Sequence, residues 1–189
     1  LKPALASSIA KYHMTEFART IVNDAMDIHG GRGIQMGPRN YLAQGYIAIP
    51  ISITVEGANI LTRNLILFGQ GAVRCHPYLR DEMDAITKKD MVSLDKLLIE
   101  HFSYSFKNLL KTFSFAFGLG HFFVDTPIKE LSYYYRQISR LSAALALVTD
   151  FTLIILGGSL KRKERLSARL GDVLSYLYTT RTPLSITNR

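Results

Sequence analysis

Two short groupings combine residue types that could do chemistry. In Thr54-Val55-Glu56-Gly57, a carboxylate stands where a loop is predicted to enter a helix, and Gly57 leaves room for a ligand against the backbone. Such a carboxylate is either a favourable partner of the helix dipole or a general base that works once a bound ligand excludes water. In Gly30-Gly31-Arg32-Gly33, consecutive glycines allow backbone N–H groups to approach an anion or a ring, and Arg32 adds charge. The same glycines also serve as a helix stop and turn. This is not a dinucleotide fingerprint, since no strand precedes it and the spacing differs, and no Gly-Lys-Ser/Thr follows.

Other chemistries find less support. His13, His29, His76, His101 and His121 show no metal-ligand spacing, and each reads as packing or surface. The single Cys75 excludes a disulfide framework and a Cys-rich zinc site, and reads as a small buried hydrophobe. No Ser lies in a Gly-x-Ser-x-Gly elbow. The densest charge run is Lys161-Arg162-Lys163-Glu164-Arg165. It reads as a solvated turn between helices or as a contact for an anionic partner. Nucleic acid is not indicated, because that needs a basic stripe interleaved with aromatics rather than one cluster.

These groups need helices to position them. The 189 residues carry 23 Lys+Arg against 15 Asp+Glu, a net charge of +8, with 48% hydrophobic and 20% charged residues. That composition excludes a disordered chain and suits one or two small domains. Apolar positions at 3.6-residue spacing predict a helix over 4–28, stopped by Gly30-Gly31. A long Gly- and Pro-rich connection is expected over 30–53, then a helix over 57–68. Further helices are predicted over 78–85, 91–117, 127–156 and 162–178. Phe113, Phe115 and Phe117 alternate as in a strand, but their flanks are helical. Residues 143–160 are the most apolar stretch; Asp150 within it argues for a buried helix rather than a membrane span. The expected class is all-α, a helical bundle over 1–86 followed by a further helical region over 87–189. Because the chain begins at Leu1, it is expected to start inside a longer protein, and 1–10 shows no secretory leader.

The stretch Asp24-Ala25-Met26-Asp27-Ile28-His29-Gly30-Gly31-Arg32-Gly33-Ile34, with Glu56 placed 23 residues after Gly33 in Val55-Glu56-Gly57-Ala58-Asn59-Ile60-Leu61-Thr62-Arg63, resembles the acyl-CoA dehydrogenases. The likeness is to their C-terminal helical domain, closest to the long bacterial type of fatty-acid β-oxidation. Arg74-Cys75-His76-Pro77-Tyr78 extends it, and residues 164–178 resemble that type's extra C-terminal region.

The resemblance implies FAD-dependent oxidation of an acyl-CoA to the trans-2-enoyl-CoA, with Glu56 removing the α-proton. It implies cofactor contacts at Gly30, Gly31 and Gly33, and at Asp27, Ala58 and Asn59. At these last positions the family's usual Gln three residues before the loop, and its Thr-x-Gln after Glu-Gly, are replaced. Gly57 is implied beside the substrate. An electron-transfer flavoprotein as acceptor and a homodimer are implied as partners. The family's N-terminal helical and middle β-domains are not in this chain, so by itself it is expected to be inactive. Where the long type would continue, residues 179–189 turn polar and are expected to leave the helical pattern. The alternative is a non-catalytic helical interaction module that binds an anionic membrane surface or a partner through Lys161–Arg165. The expected location is cytoplasmic, with peripheral membrane contact through that cluster.

Overall fold

The computed structural model describes residues 3–122, 124 and 128–186. Those residues form helices and no strand, so the all-α expectation holds. The first helix, α1 (Pro3–His29), ends where predicted. Gly30 takes φ 53°, and its N–H reaches back to the carbonyls of Met26 and Asp27. A residue with a Cβ would resist that left-handed turn. At the other end of α1, Ile9 and Leu5 are buried against Cys75, Leu174 and Tyr178. Cys75 is only half-buried.

The expected connection over 30–53 is mostly helix instead. A single turn, α2 (Gly31–Ile34), is followed by α3 (Ala43–Thr54), which packs along α1. Gly45 and Pro50 suggest a break, yet Pro50 lies inside α3. Pro removes one helical hydrogen bond and usually kinks or ends a helix. Here the start is secured by Asn40, whose Oδ1 accepts from the N–H groups of Leu42 and Ala43. Its Nδ2 donates to the carbonyls of Arg32, Gly33 and Gln35. One amide therefore caps α3 and closes the glycine loop.

The helix expected over 57–68 starts at Asn59 and runs further. It passes from α4 (Asn59–Leu61) through a π-helical stretch, Thr62–Gln70, into α5 (Gly71–Cys75). Phe68 is buried there against Leu160, with Leu153, Leu156 and Leu170 around them. Next come α6 (Leu79–Lys88) and α7 (Met91–Ala116). Between them Lys89 takes a left-handed conformation that closes α6, and its N–H reaches the Ala85 and Ile86 carbonyls. Asp90 caps α7 by accepting from the Ser93 N–H and hydroxyl. The alternating phenylalanines are helical: Phe115 is buried, and Phe113 is exposed.

The helix predicted over 127–156 is α8 (Ser132–Leu156), preceded by the short turn Lys129–Leu131; Pro127 lies outside the described residues. Segment 143–160 is not the buried helix expected. Lys129–Leu160 is long and apolar enough to cross a membrane, and only 22% of its most apolar window is buried. Ile154 and Ile155 are each 75% exposed, while Asp150 points inward. A tight turn, Gly157–Arg162, leads to α9 (Glu164–Ile186). That helix runs through 179–186, where the pattern was expected to be lost. The Thr179 and Thr180 hydroxyls bond to carbonyls one turn back, so these polar residues are satisfied within the helix. Residues 187–189 lie outside the described set. α9 packs chiefly against the π-helical stretch, so the last helix closes the core begun by the first half.

Candidate functional site

Glu56 sits in the four-residue turn, 55–58, between α3 and the helix that starts at Asn59. Its φ is 54° and that of Gly57 is 90°. Glu56 and Lys89 are the non-glycine residues with positive φ among the described residues. Lys89 is explained by its helix cap. Glu56 has no such explanation, and a left-handed L-residue costs about 1–2 kcal/mol. Such outliers cluster where a side chain must be held in place for function. The Glu56 carboxylate is exposed and makes no ion pair or hydrogen bond among the described residues.

The turn is held from α1. The Lys11 ammonium donates to the Gly57 carbonyl at 2.8 Å and to Asn59 Oδ1 at 2.7 Å. Asn59 is buried, and its Nδ2 donates to Glu16 Oε1 and Thr15 Oγ1. Thr62 Oγ1 also donates to the Gly57 carbonyl. Behind the turn, Arg63 forms a two-pronged pair with Asp172 of α9, at 2.8 and 2.6 Å. The Asp172 hydrogen bond holds the Arg63 proton more tightly than usual, against the opposing effect of burial.

The other expected contacts divide. Gly30 and Gly31 are exposed, and a Cβ added at either would meet no atom within 4 Å. Asp27 is exposed beside them. Gly33 backs onto Met26, where a Cβ would lie 3.2 Å from both the carbonyl oxygen and the sulfur. A larger residue there would force Met26 to shift by a few tenths of an ångström. Ala58 is half-buried at the Glu56 turn, and the amide of Asn59 is fully engaged by α1. The glycine loop and the Glu56 turn sit at different levels of α1. From Thr15 to His29 the helix rises roughly 20 Å. A ligand touching both groups must be extended, or the two belong to different bound ligands.

Sequence reasoning missed Lys11 and Thr15, which act across long chain separations, and Asn40, which acts on both sides of its own turn. It also missed a second polar cluster. His76, His101 and Asp150 come from three elements, together with Glu82 of α6 and Ser105 of α7. His76 Nε2 lies 2.8 Å from Asp150 Oδ1, and His101 Nδ1 lies 2.7 Å from Glu82 Oε1. The Ser105 hydroxyl donates to the other Asp150 oxygen. Burial alone would push the Asp150 carboxyl up; the hydrogen bonds from His76 and Ser105 and the nearby imidazoles outweigh it and hold it below the usual range. The histidine spacing in sequence gave no sign of this, because the helices α6, α7 and α8 create it.

Residues 73–186 match the family described as acyl-CoA dehydrogenase, C-terminal, bacterial type. Residues 2–69 match the acyl-CoA dehydrogenase C-terminal domain. No solved structure matches the chain. The first match alone spans more than half of the residues, and both agree with the helical architecture; the chain belongs to the acyl-CoA dehydrogenase family and carries its C-terminal helical region.

Proposed function

We propose that this chain supplies the proton-abstracting side chain of an FAD-dependent acyl-CoA dehydrogenase of fatty-acid β-oxidation. The observation that carries this reading is Glu56: an exposed, unpartnered carboxylate on a left-handed residue, in a turn fastened by Lys11 and Asn59. A carboxylate fixed in that way can face the α-carbon of an acyl thioester and take its proton. Bound FAD would supply the acceptor for the β-hydrogen and its electron pair. Gly57 keeps the backbone beside the base uncrowded, so that the Glu56 N–H can polarise the thioester carbonyl as in an oxyanion hole. Gly30, Gly31 and Asp27 are open and suited to hold the flavin nucleotide; Asn59 is not, because its amide is spent on α1.

The level difference along α1 favours a homodimer in which loop and base serve different flavins. Acyl-CoA is the substrate, and an electron-transfer flavoprotein takes the electrons onward. The remaining flavin and acyl-CoA contacts belong to other domains of the enzyme, so this chain alone would not turn over. In the complete enzyme, Glu56→Gln should lower turnover by at least 10²–10⁴-fold while FAD stays bound. A loss under tenfold in an acyl-CoA oxidation assay would remove Glu56 from the role of base.

A second reading is favoured by the C-terminal end of α8. Ile154 and Ile155 stand exposed near Arg162, Lys163 and Arg165; the Lys161 side chain lies outside the described set. Exposed apolar groups beside cations suit the surface of an anionic bilayer. Salt-sensitive binding to acidic liposomes, lost when these basic residues become Gln, supports it. Binding that ignores salt contradicts it.

A further inference from the structure

The geometry points to a divalent-metal site formed by His76, His101 and Asp150, of a kind that suits Zn²⁺. One donor atom from each residue lies within 4.8 Å of the others. Asp150 Oδ1 stands 2.8 Å from His76 Nε2 and 3.7 Å from His101 Nε2. Donor atoms around a tetrahedral Zn²⁺ are separated by about 3.4 Å, given metal–ligand distances of 2.0–2.1 Å. The two Asp150 distances bracket that value, and a donor set spanning up to 4.8 Å must draw together by about 1 Å to share one ion.

Charge leads to the same conclusion. Asp150 and Glu82 are 3% and 8% exposed, and no Lys or Arg pairs with either among the described residues. Buried carboxylates need a cation close by. The tautomer of His101 supplies the next step. Its Nδ1 faces Glu82 at 2.7 Å; in the neutral ring that donates there, the Nε2 lone pair is directed at Asp150 Oδ1. Two lone pairs facing each other call for a cation between them. A carboxylate on the far nitrogen of a ligating imidazole is also the usual arrangement behind a metal-bound histidine.

His76 now donates its Nε2 proton to Asp150, with Nδ1 accepting long contacts of 3.3 Å from the N–H groups of Tyr78 and Leu79. Metal uptake moves that proton to Nδ1, and those two weak contacts are given up. Two imidazoles and one carboxylate are a donor set of borderline softness, fitted to Zn²⁺ rather than to Ca²⁺ or Mg²⁺. Ser105 steadies the second Asp150 oxygen. The fourth position opens toward a cavity of about 570 Å³ between α7 and α8, which His101 and Asp150 line. It leaves room there for water or a small ligand.

The test is Zn²⁺ binding to the complete protein by equilibrium dialysis and elemental analysis, with Co²⁺ as a coloured substitute. One Zn²⁺ per chain is expected, with a Co²⁺ spectrum of four-coordinate type. Asp150→Asn and His101→Gln should each weaken binding by at least 100-fold. Glu82→Gln should keep the stoichiometry and weaken binding about 10–100-fold, because it only orients His101. His29→Gln, at the far end of α1, should change nothing. Should the ligand variants fail to fold, the wild-type protein decides: stoichiometric Zn²⁺ should shift the ring nitrogen resonances of His76 and His101 together. Less than a tenth of an equivalent bound, or shifts confined to other histidines, overturns the site. So does a variant set that binds as well as wild type.

Discussion

Lys11 does for the base turn what no neighbouring residue could. It ties the Gly57 carbonyl to Asn59, and so fixes where Glu56 emerges. Hydrogen bonds to charged groups contribute about 1.5–3 kcal/mol. This pair is part-buried, so Lys11→Met should lower stability in urea titrations by about 1–2 kcal/mol. Turnover of the complete enzyme should fall with it, and flavin content should not. The strain at Glu56 makes a second prediction: Glu56→Gly should be more stable than Glu56→Ala, by about 1 kcal/mol, as at other left-handed positions. The opposite order, that of helix interiors, would mean the turn relaxes without its glutamate. Glu56 itself was legible because its signal is local, four residues with a glycine beside the carboxylate. Lys11 was not, because it acts 46 and 48 positions away from its partners. Asn59 was misjudged for the same reason: a polar side chain next to the base looks free until α1 is placed against it.

Caps decided which elements could be read. α1 announced its end with two glycines. α3 stayed hidden, because Gly45 and Pro50 mask a helix whose real start signal, Asn40, serves two elements at once. Asn40→Ala should therefore loosen the glycine loop as well as α3, visible as faster amide exchange over both 31–35 and 42–46. Exchange that quickens in α3 alone would separate the two roles. Asp90 gives a pH test. Hydrogen bonds from the Ser93 hydroxyl and N–H hold its carboxyl below the usual aspartate range. Its contribution is then fully present above the unfolded value near 3.9 and disappears as pH falls through the lower folded value. Wild type should outlast Asp90→Ala in urea at pH 5–7, and the difference should close in strong acid. A constant difference across that range would place the capping bond elsewhere.

Across the whole molecule, helix content was legible from periodicity, while burial was not. α8 is apolar enough to be read as core, yet hydropathy cannot say what covers a face. Asp150 and Thr149 are buried, while Ile154 and Ile155 stand largely exposed. The closing of the fold by α9 was equally invisible, since Arg63 and Asp172 are 109 positions apart. Phe68 and Leu160 join the two stretches that match different family models. Phe68→Ala should cost about 3–5 kcal/mol and lower a single unfolding transition seen by probes in both stretches. Two separate transitions would show that the halves fold independently.

Glu56 is the proposed base of an acyl-CoA dehydrogenase. Its most direct test is flavin absorption in the complete enzyme, wild type against Glu56→Gln, before and after a saturated acyl-CoA is added. The account predicts that wild type bleaches and that the variant keeps its flavin colour with substrate present. A wild type without flavin, or a variant that bleaches at the wild-type rate, would contradict it.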